Sequence, residues 1–520
     1  MSNTLERYRN AVADRNEWIN TYEEVGRYCW PNARHIVKSV TVEDKGQVLT
    51  TNIADCTAIK AALRMTSGIV SYLMPIGTWW FEFKPSDPTL LKNREVLRRT
   101  SEATEITHAE MFRSNFIREI FTTVRSMVTF GTGCISVEKV DGSLVYRNYH
   151  IADIFFEENS KGQIDTVFRR MYYTARQMVQ EYGEENLSDS VKSALKAKDF
   201  SKRFEVVHCV YPRTDYDTSK KDAKGKKFVS KHYEVDRENE LKEGGFDSIP
   251  YLIGRFERSP DELMGRSPAI DLLPDIKMLN DMRYTFVLSS EKAANPPLVM
   301  EDDGVIGQPA TGPGDLIIKR QGAEDPHPLQ TGANPQLTFE VIQMEREEIY
   351  DGFFNNVFQP QTRKRNITAT QSDRVEDEKM VMLSPTVSGL QKELLDPLIS
   401  RTKDLVLPEG LGFDVETVYQ GRLALAMSNM QTNAIELWTA KWSPYQQFFP
   451  VLDNVNLDEG AATSALNMGV PAKLIRTEEE VAEIRKPQQE AQQLEQQANV
   501  AETGSKAIKN LQGVNLQGLM

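Results

Sequence analysis

The chain has 520 residues, 40% of them hydrophobic, and a formal net charge of −13. That length exceeds what one hydrophobic core accommodates, so two or more structural units are expected. The charge excludes the overall basic excess of a protein that grips nucleic acid by neutralising phosphates, and a mean hydropathy of −0.47 argues against a membrane protein.

Met1-Ser2-Asn3-Thr4-Leu5-Glu6-Arg7 lacks the charged-then-apolar layout of a signal peptide, so manufacture and use in a cytosol are expected. Cys29, Cys56, Cys134 and Cys209 are widely spaced and form no CxxC pair, so they read as buried reduced thiols rather than a zinc site. Residues 1 to about 75 read as helical. Tyr8, Ala11, Val12, Trp18, Ile19 and Tyr22 recur at helical spacing, and a second apolar helix over about 54–72 ends at Pro75 and Gly77. Trp79-Trp80-Phe81-Glu82-Phe83 predicts a strand, stopped by Pro85 and Pro88, and a long helical region follows over about 93–130.

From 131 to 259 strands dominate. Gly131-Thr132-Gly133 reads as a tight turn before a strand. Residues 134–140 and 144–147 flank Asp141-Gly142, a two-residue hairpin signal. Further strands are predicted at 166–173, 204–211, 228–235 and 251–256, with the lysine-rich stretch 220–227 as a solvated loop. Helices plus an antiparallel sheet make the chain α+β, mainly helical.

Ser267-Pro268 opens a helix that runs to about Ala294, with Pro274 as a possible kink and Asn295-Pro296-Pro297 as its stop; about thirty residues would span about 45 Å. Residues 296–336 are rich in glycine and proline, with strand candidates at 298–300 and 316–319. So few apolar residues build no core, and completion by strands of another chain is expected. A second long helix over 337–358 has Leu337, Val341, Met344, Ile349, Phe353 and Val357 on an apolar side, and Glu340, Glu345, Glu347, Glu348 and Asp351 on an acidic one. Thr362-Arg363-Lys364-Arg365-Asn366 forms a basic loop. Residues 370–407 read as helix, bent near Ser384-Pro385 and Asp396-Pro397. After about 410 the chain reads as helical, with Trp438, Trp442, Tyr445, Phe448 and Phe449 as core and a capping-box start at Thr477-Glu478-Glu479-Glu480.

The familiar catalytic motifs are missing: no GxxxxGK[ST], HExxH, GxSxG or GxGxxG occurs. No histidine stands out as a general base, no cofactor is implied, and carboxylate pairs occur too often by chance to mark a two-metal site. What stands out is an order of parts: long helix, small dependent insertion, acidic amphipathic helix, basic loop, bent helix.

At 265–280 the sequence Gly-Arg-Ser-Pro-Ala-Ile-Asp-Leu-Leu-Pro-Asp-Ile-Lys-Met-Leu-Asn resembles the entry to the first stem helix in portal (head-to-tail connector) proteins of short-tailed, double-stranded-DNA phages. Pro250-Tyr251-Leu252-Ile253-Gly254-Arg255-Phe256 is similar to the strand leading into it, and Asn295-Pro296-Pro297 to the exit into the clip. The layout matches over nearly the whole chain. The resemblance implies a ring of about twelve copies at one capsid vertex, assembled in the host cytoplasm: 1–264 wing, 265–295 and 337–358 stem, 296–336 clip, 359–369 tunnel loop, 370–408 a bent wing/crown helix, 409–476 crown, and 477–520 a C-terminal barrel helix and tail. It further implies double-stranded DNA in the channel, a terminase large subunit docking at the clip and later a tail adaptor protein, with scaffolding, major capsid and internal core proteins as neighbours and no membrane.

Twelve copies at −13 would carry about −160 before screening within about 8–10 Å, a wall that keeps the duplex from resting in one place. Arg363, Lys364 and Arg365, and more weakly Lys319 and Arg320 in the clip, are the candidates for transient phosphate contact. The alternative for the basic loop is pairing with acids such as Asp373 or Glu376. The alternative for the acidic helix is an ordinary solvated face. Rival functions are another virion core or adaptor protein, or a metal-dependent nucleic-acid enzyme.

Overall fold

The computed structural model describes residues 2–36, 48–199, 201–217, 219–220, 222–302, 305–306, 317–329, 335–358, 384–408, 410–420, 434, 436–445, 456–467, 476, 480–481 and 483–487. Two compact units emerge, one of Met1–Gly77 with Thr107–Pro408, the other of Thr78–Ile106 with Glu409–Met520. With 51% helix and 21% strand, the mainly helical α+β reading holds.

In chain order the helices and strands begin with α1 (Ser2–Asn16), α2 (Ile19–Cys29), α3 (Thr57–Leu73), β1 (Phe81–Pro85), α4 (Arg94–Arg113) and α5 (Phe116–Phe130). The helical region expected over 93–130 is therefore two helices. Asn115 breaks it by turning its side chain to the backbone of Tyr146, accepting from the amide at 2.9 Å and donating to the carbonyl at 2.8 Å.

The strand-rich part holds β2 (Thr132–Val140), β3 (Ser143–Tyr149), β4 (Ile154–Glu158), β5 (Ile164–Thr174), α6 (Ala175–Tyr182), α7 (Asp189–Lys196), β6 (Arg203–Pro212), β7 (Phe228–Glu234), β8 (Asn239–Phe246) and β9 (Tyr251–Arg255). They form two antiparallel sheets rather than one, ordered β3-β2-β9 and β4-β5-β6-β7-β8. Asp141 and Gly142 take φ of 49° and 83°, the left-handed pair that the two-residue hairpin needs. Alternation along β6 splits the core. Val207 and Cys209 meet Leu5, Tyr8 and Ala11 of α1, while Phe204 and Val206 meet Met178 and Val191 of α6 and α7. Met65 and Ile69 of α3, Val124 and Met127 of α5, Phe256 and Leu390 close to within a void of about 10 Å³, the density of a packed interior. Three cysteines are buried, and burial pushes the Cys29 thiol up to about 12; Cys56 is exposed, contrary to expectation, because it precedes the first turn of α3.

Cross-strand neighbours His208 and His232 stack at 4.1 Å inside the five-stranded sheet. His208 bonds Tyr251 Oη at 2.6 Å and Ser230 Oγ at 2.8 Å, and His232 bonds Tyr182 Oη at 3.0 Å. Burial holds both imidazoles neutral: His208 lies well below 6.5 and His232 near 4. An unfolded chain takes up these protons near pH 6.5 and the folded chain does not. Stability is therefore complete above pH 6.5 and declines as pH falls towards 4, by about 3 kcal/mol through His232 alone. Urea midpoints measured from pH 7 to pH 4 should fall accordingly, and less steeply in His232→Phe; equal slopes would dismiss this account.

The chain continues with α8 (Pro268–Asp271), α9 (Leu273–Ala294), β10 (Leu298–Val299), β11 (His327–Pro328), α10 (Pro335–Gly352), α11 (Asn355–Phe358), α12 (Ser384–Leu390), a π-helical turn at Gln391–Leu395, α13 (Asp396–Val406), β12 (Val415–Tyr419) and α14 (Leu457–Asn467). β10 pairs antiparallel with β11 of the same chain, so this strand finds its partner without a neighbour; of the candidate at 316–319, Lys319 forms only a bridge with Val305. The π turn ends where Pro397 would otherwise drive its ring, lacking an N–H, against the Glu393 carbonyl.

In the second unit, β12 corrects the all-helical expectation for the chain after 410. Val415-Glu416-Thr417-Val418-Tyr419 is β-branched and aromatic, and it pairs antiparallel with β1 from Phe81↔Tyr419 to Pro85↔Val415. Trp80, Phe81 and Phe83 are buried there. Trp442 is exposed and Trp438 half-buried, so neither forms the expected core within this chain. Phe448, Phe449 and most of the capping box lie outside the described residues.

Candidate functional site: a two-helix hairpin

The α9–α10 hairpin grows from a close backbone crossing. Gly131 caps α5 with φ +79°, and a Cβ there would lie 1.9 Å from the Gly265 carbonyl oxygen. Gly265 N donates to Thr132 Oγ1 at 2.9 Å, and Ser267 Oγ donates to the Thr129 carbonyl at 2.9 Å while accepting from Ile270 N at 3.3 Å. Pro268 fills the first turn of α8. Pro274 then has no N–H for Ile270, so the helix breaks at Leu272 and α9 restarts with Pro274 in its own first turn. The single helix of about 45 Å is thus a short turn followed by α9, whose 22 residues span about 33 Å.

The first half of α9 is anchored. Lys277 pairs with Glu24 at 2.6 Å, and Asn280 Oδ1 accepts from Ala54 N at 2.7 Å. Beyond Asn280 no α9 residue is buried, and Tyr284, Val287 and Leu288 face solvent. α10 packs beside α9, with Phe286 and Phe339 rings 6.2 Å apart and Gly352 against Leu272. Its buried side is Ile342, Ile349 and, just past its end, Phe353.

Four of the five acids assigned to α10 are exposed: Glu340, Glu347, Glu348 and Asp351. Glu345 departs from that pattern. It is half-buried, burial first and then Glu348 and Asp275 raise its pKa, and its Oε2 has no hydrogen bond. The lone cation of α10, Arg346, is spent on Asp55 at 2.5 Å. Burial pushes Asp55 up, but hydrogen bonds from Thr57 and Arg346 outweigh it, so the carboxyl sits below its ordinary value. This pair ties α10 to the start of α3. Sequence reading missed it, because the partners are 291 residues apart. A cleft of about 1400 Å³ lies between α3 and α10–α11, lined by Lys60, Arg64, Arg283, Arg346 and Asn355 among others.

At the far end of the hairpin, Lys319 pairs with Asp325 at 2.5 Å, and Arg320 is exposed. Arg363, Lys364 and Arg365, with all of 359–369, lie outside the described residues. Among the described residues no three His, Cys, Asp or Glu side chains cluster as a metal site requires, and no helix is long and apolar enough to cross a membrane.

A family model described as bacteriophage head to tail connecting protein matches residues 2–475. The chain belongs to that family. This connector is 25% identical over 530 aligned residues to the "Probable portal protein" of Bordetella phage BPP-1, covering 98% of this chain and 95% of that one. It is 26% identical over 500 residues to the "Portal protein" of Salmonella phage epsilon15, covering 92% and 89%. A chain of the "Virion of native gene transfer agent (GTA) particle" superposes over 77% of this connector and 90% of itself at 10% identity, with a TM-score of 0.34 too loose to transfer geometry. The family resemblance stated from the sequence is borne out, and the connector is a structural protein of the phage particle rather than an enzyme.

Proposed function

We propose that this connector is the portal subunit of its phage, and that copies of it, about twelve by the family resemblance, close into a ring through which double-stranded DNA is packaged and ejected. Residues 1–264 serve as wing, 265–295 and 337–358 as stem, 296–336 as clip, 359–369 as tunnel loop, 370–408 as the helix joining wing and crown, 409–476 as crown, and 477–520 as C-terminal barrel and tail. The clip receives the terminase large subunit and later a tail adaptor.

The observation that carries this reading is the outer line of α10. Glu347 and Asp351 lie seven and eleven residues after Glu340, which puts the three within an arc of about 40° around the helix, opposite buried Ile342 and Ile349. α9 balances three acids with three cations, whereas α10 carries five acids and one paired cation. A line of carboxylates along a stem repels phosphates and lets a duplex slide, while Arg363, Lys364 and Arg365 supply brief contacts. Native mass and end-on electron micrographs of the full chain test the assembly. A ring with a duplex-wide opening is expected, and a stable monomer at high concentration would overturn it. Changing Arg363, Lys364 and Arg365 together to alanine should leave rings intact and lower packaged or retained DNA about tenfold, since three phosphate contacts are lost. Normal genome filling and retention in that variant would reject the role.

A further inference from the structure

The stem has two unlike flanks. On one, the cleft beside α3 presents Lys60 and Arg64 of α3 and Arg283 of α9 next to exposed Leu63, with the exposed Glu347 and Asp351 lining its α10 side. Asn355 lines the same cleft, is 1% exposed, and has no hydrogen-bond partner for either Nδ2 or Oδ1. A buried amide with both ends unsatisfied destabilises the chain that carries it unless an incoming group supplies the missing partners.

On the other flank, α9 exposes Met278, Asp281, Tyr284 and Leu288, a stripe at intervals of three, three and four residues. Asp281 and Arg283 stand two residues apart, about 200° around the helix, so the stripe turns away from the cleft that Arg283 lines. One chain cannot bring its own stripe to its own cleft. A second copy related by rotation can, and that contact is head-to-tail, so it repeats from copy to copy until the rotation closes.

We propose that the cleft between α3 and α10–α11 is a socket for the exposed α9 stripe of a second copy of this chain. Asp281 of the incoming copy enters beside Lys60 and Arg64. Its Met278, Tyr284 and Leu288 cover Leu63, and a polar group it carries satisfies Asn355. The assignment rests on the ring reading above and adds the residues that make the joint. Charge sets where in the cleft Asp281 comes to rest: the cations Lys60 and Arg64 of α3 attract it, whereas Glu347 and Asp351 on the α10 side repel it.

The test uses full-length protein carrying Asp281→Arg, Arg64→Asp, or both, followed by native mass and electron microscopy, with circular dichroism to verify folding. Each single change should raise the concentration for half-assembly at least about tenfold, and the double change should return it to within about threefold of the parent. Asn355→Leu should raise the melting temperature of the dissociated chain while weakening the ring. Rings from the parent with unaffected single variants, or no recovery in the double, would overturn the socket and leave the portal reading standing. So would Asn355→Leu rings as stable as the parent's. A parent chain that never forms rings would defeat both.

Discussion

Arg255→Leu is expected to destabilise the larger unit by about 3–5 kcal/mol, the cost of removing one partner from a buried ionic cluster. Arg255 ends β9 at 3% exposure. Its guanidinium donates to Glu158 at the end of β4, to both oxygens of Glu393 in the π turn at 2.8 and 3.2 Å, and to the Leu263 carbonyl at 3.2 Å. Three segments far apart in sequence therefore meet on one cation, and leucine would leave the mostly buried Glu393 without a cation and Glu158 with only the exposed Arg258, at 3.1 Å. Urea unfolding measures the loss. Adding Glu393→Gln to Arg255→Leu should recover part of it, since one stranded charge goes; a loss under about 1 kcal/mol would mean that the cluster is solvated and exchanges its partners with water.

Gly131→Ala is the second large effect, about 3 kcal/mol. Left-handed backbone costs an ordinary residue about 1–2 kcal/mol, and forcing a methyl into a filled crossing adds about 1–3 kcal/mol. The obstacle is backbone, the Gly265 carbonyl, which cannot swing aside as a side chain could. Gly142 supplies the control. Its φ of +83° is equally left-handed, but nothing lies within 4 Å of its would-be Cβ. Gly142→Ala should therefore lose only the conformational part. Equal losses at the two positions would show that the crossing at the stem root yields.

Much of this architecture was legible because the chain states it locally. Asp141-Gly142 can close only a short list of turns, Ser267-Pro268 is a helix start under any tertiary context, and Asn295-Pro296-Pro297 is a stop. The omissions have physical reasons. β8, Asn-Glu-Leu-Lys-Glu-Gly-Gly-Phe, is a sheet edge paired on one side only, and it buries only Leu241 and otherwise carries the polar residues that edges favour. β12 acquires its partner more than 300 residues upstream. Two of the buried cations, Arg255 and Arg401, look like surface residues in sequence, and only the fold supplies Glu158 and Glu393 for one and the carbonyls of Val137 and Ser248 for the other. On α10, most of the acidic side could be read from spacing, but the half-burial of Glu345 and the exposure of Val341 and Met344, expected on the apolar side, could not. They depend on how α9 packs beside α10.

The five-residue turn before Pro397 also fixes what lengths this helix tolerates. A widened turn holds one residue more than an α turn, so Ser384–Leu390 and Asp396–Val406 are in phase only because of it. Rewinding these five residues as ordinary helix, with their number unchanged, would rotate the preceding segment by about 100°. Val387 and Leu390 would then leave the apolar centre they share with Met65 and Met127, and the Glu393 carboxylate would lose its aim. Removing one residue as the turn rewinds would instead keep both segments in phase, so the turn absorbs one residue that an unbroken helix could do without.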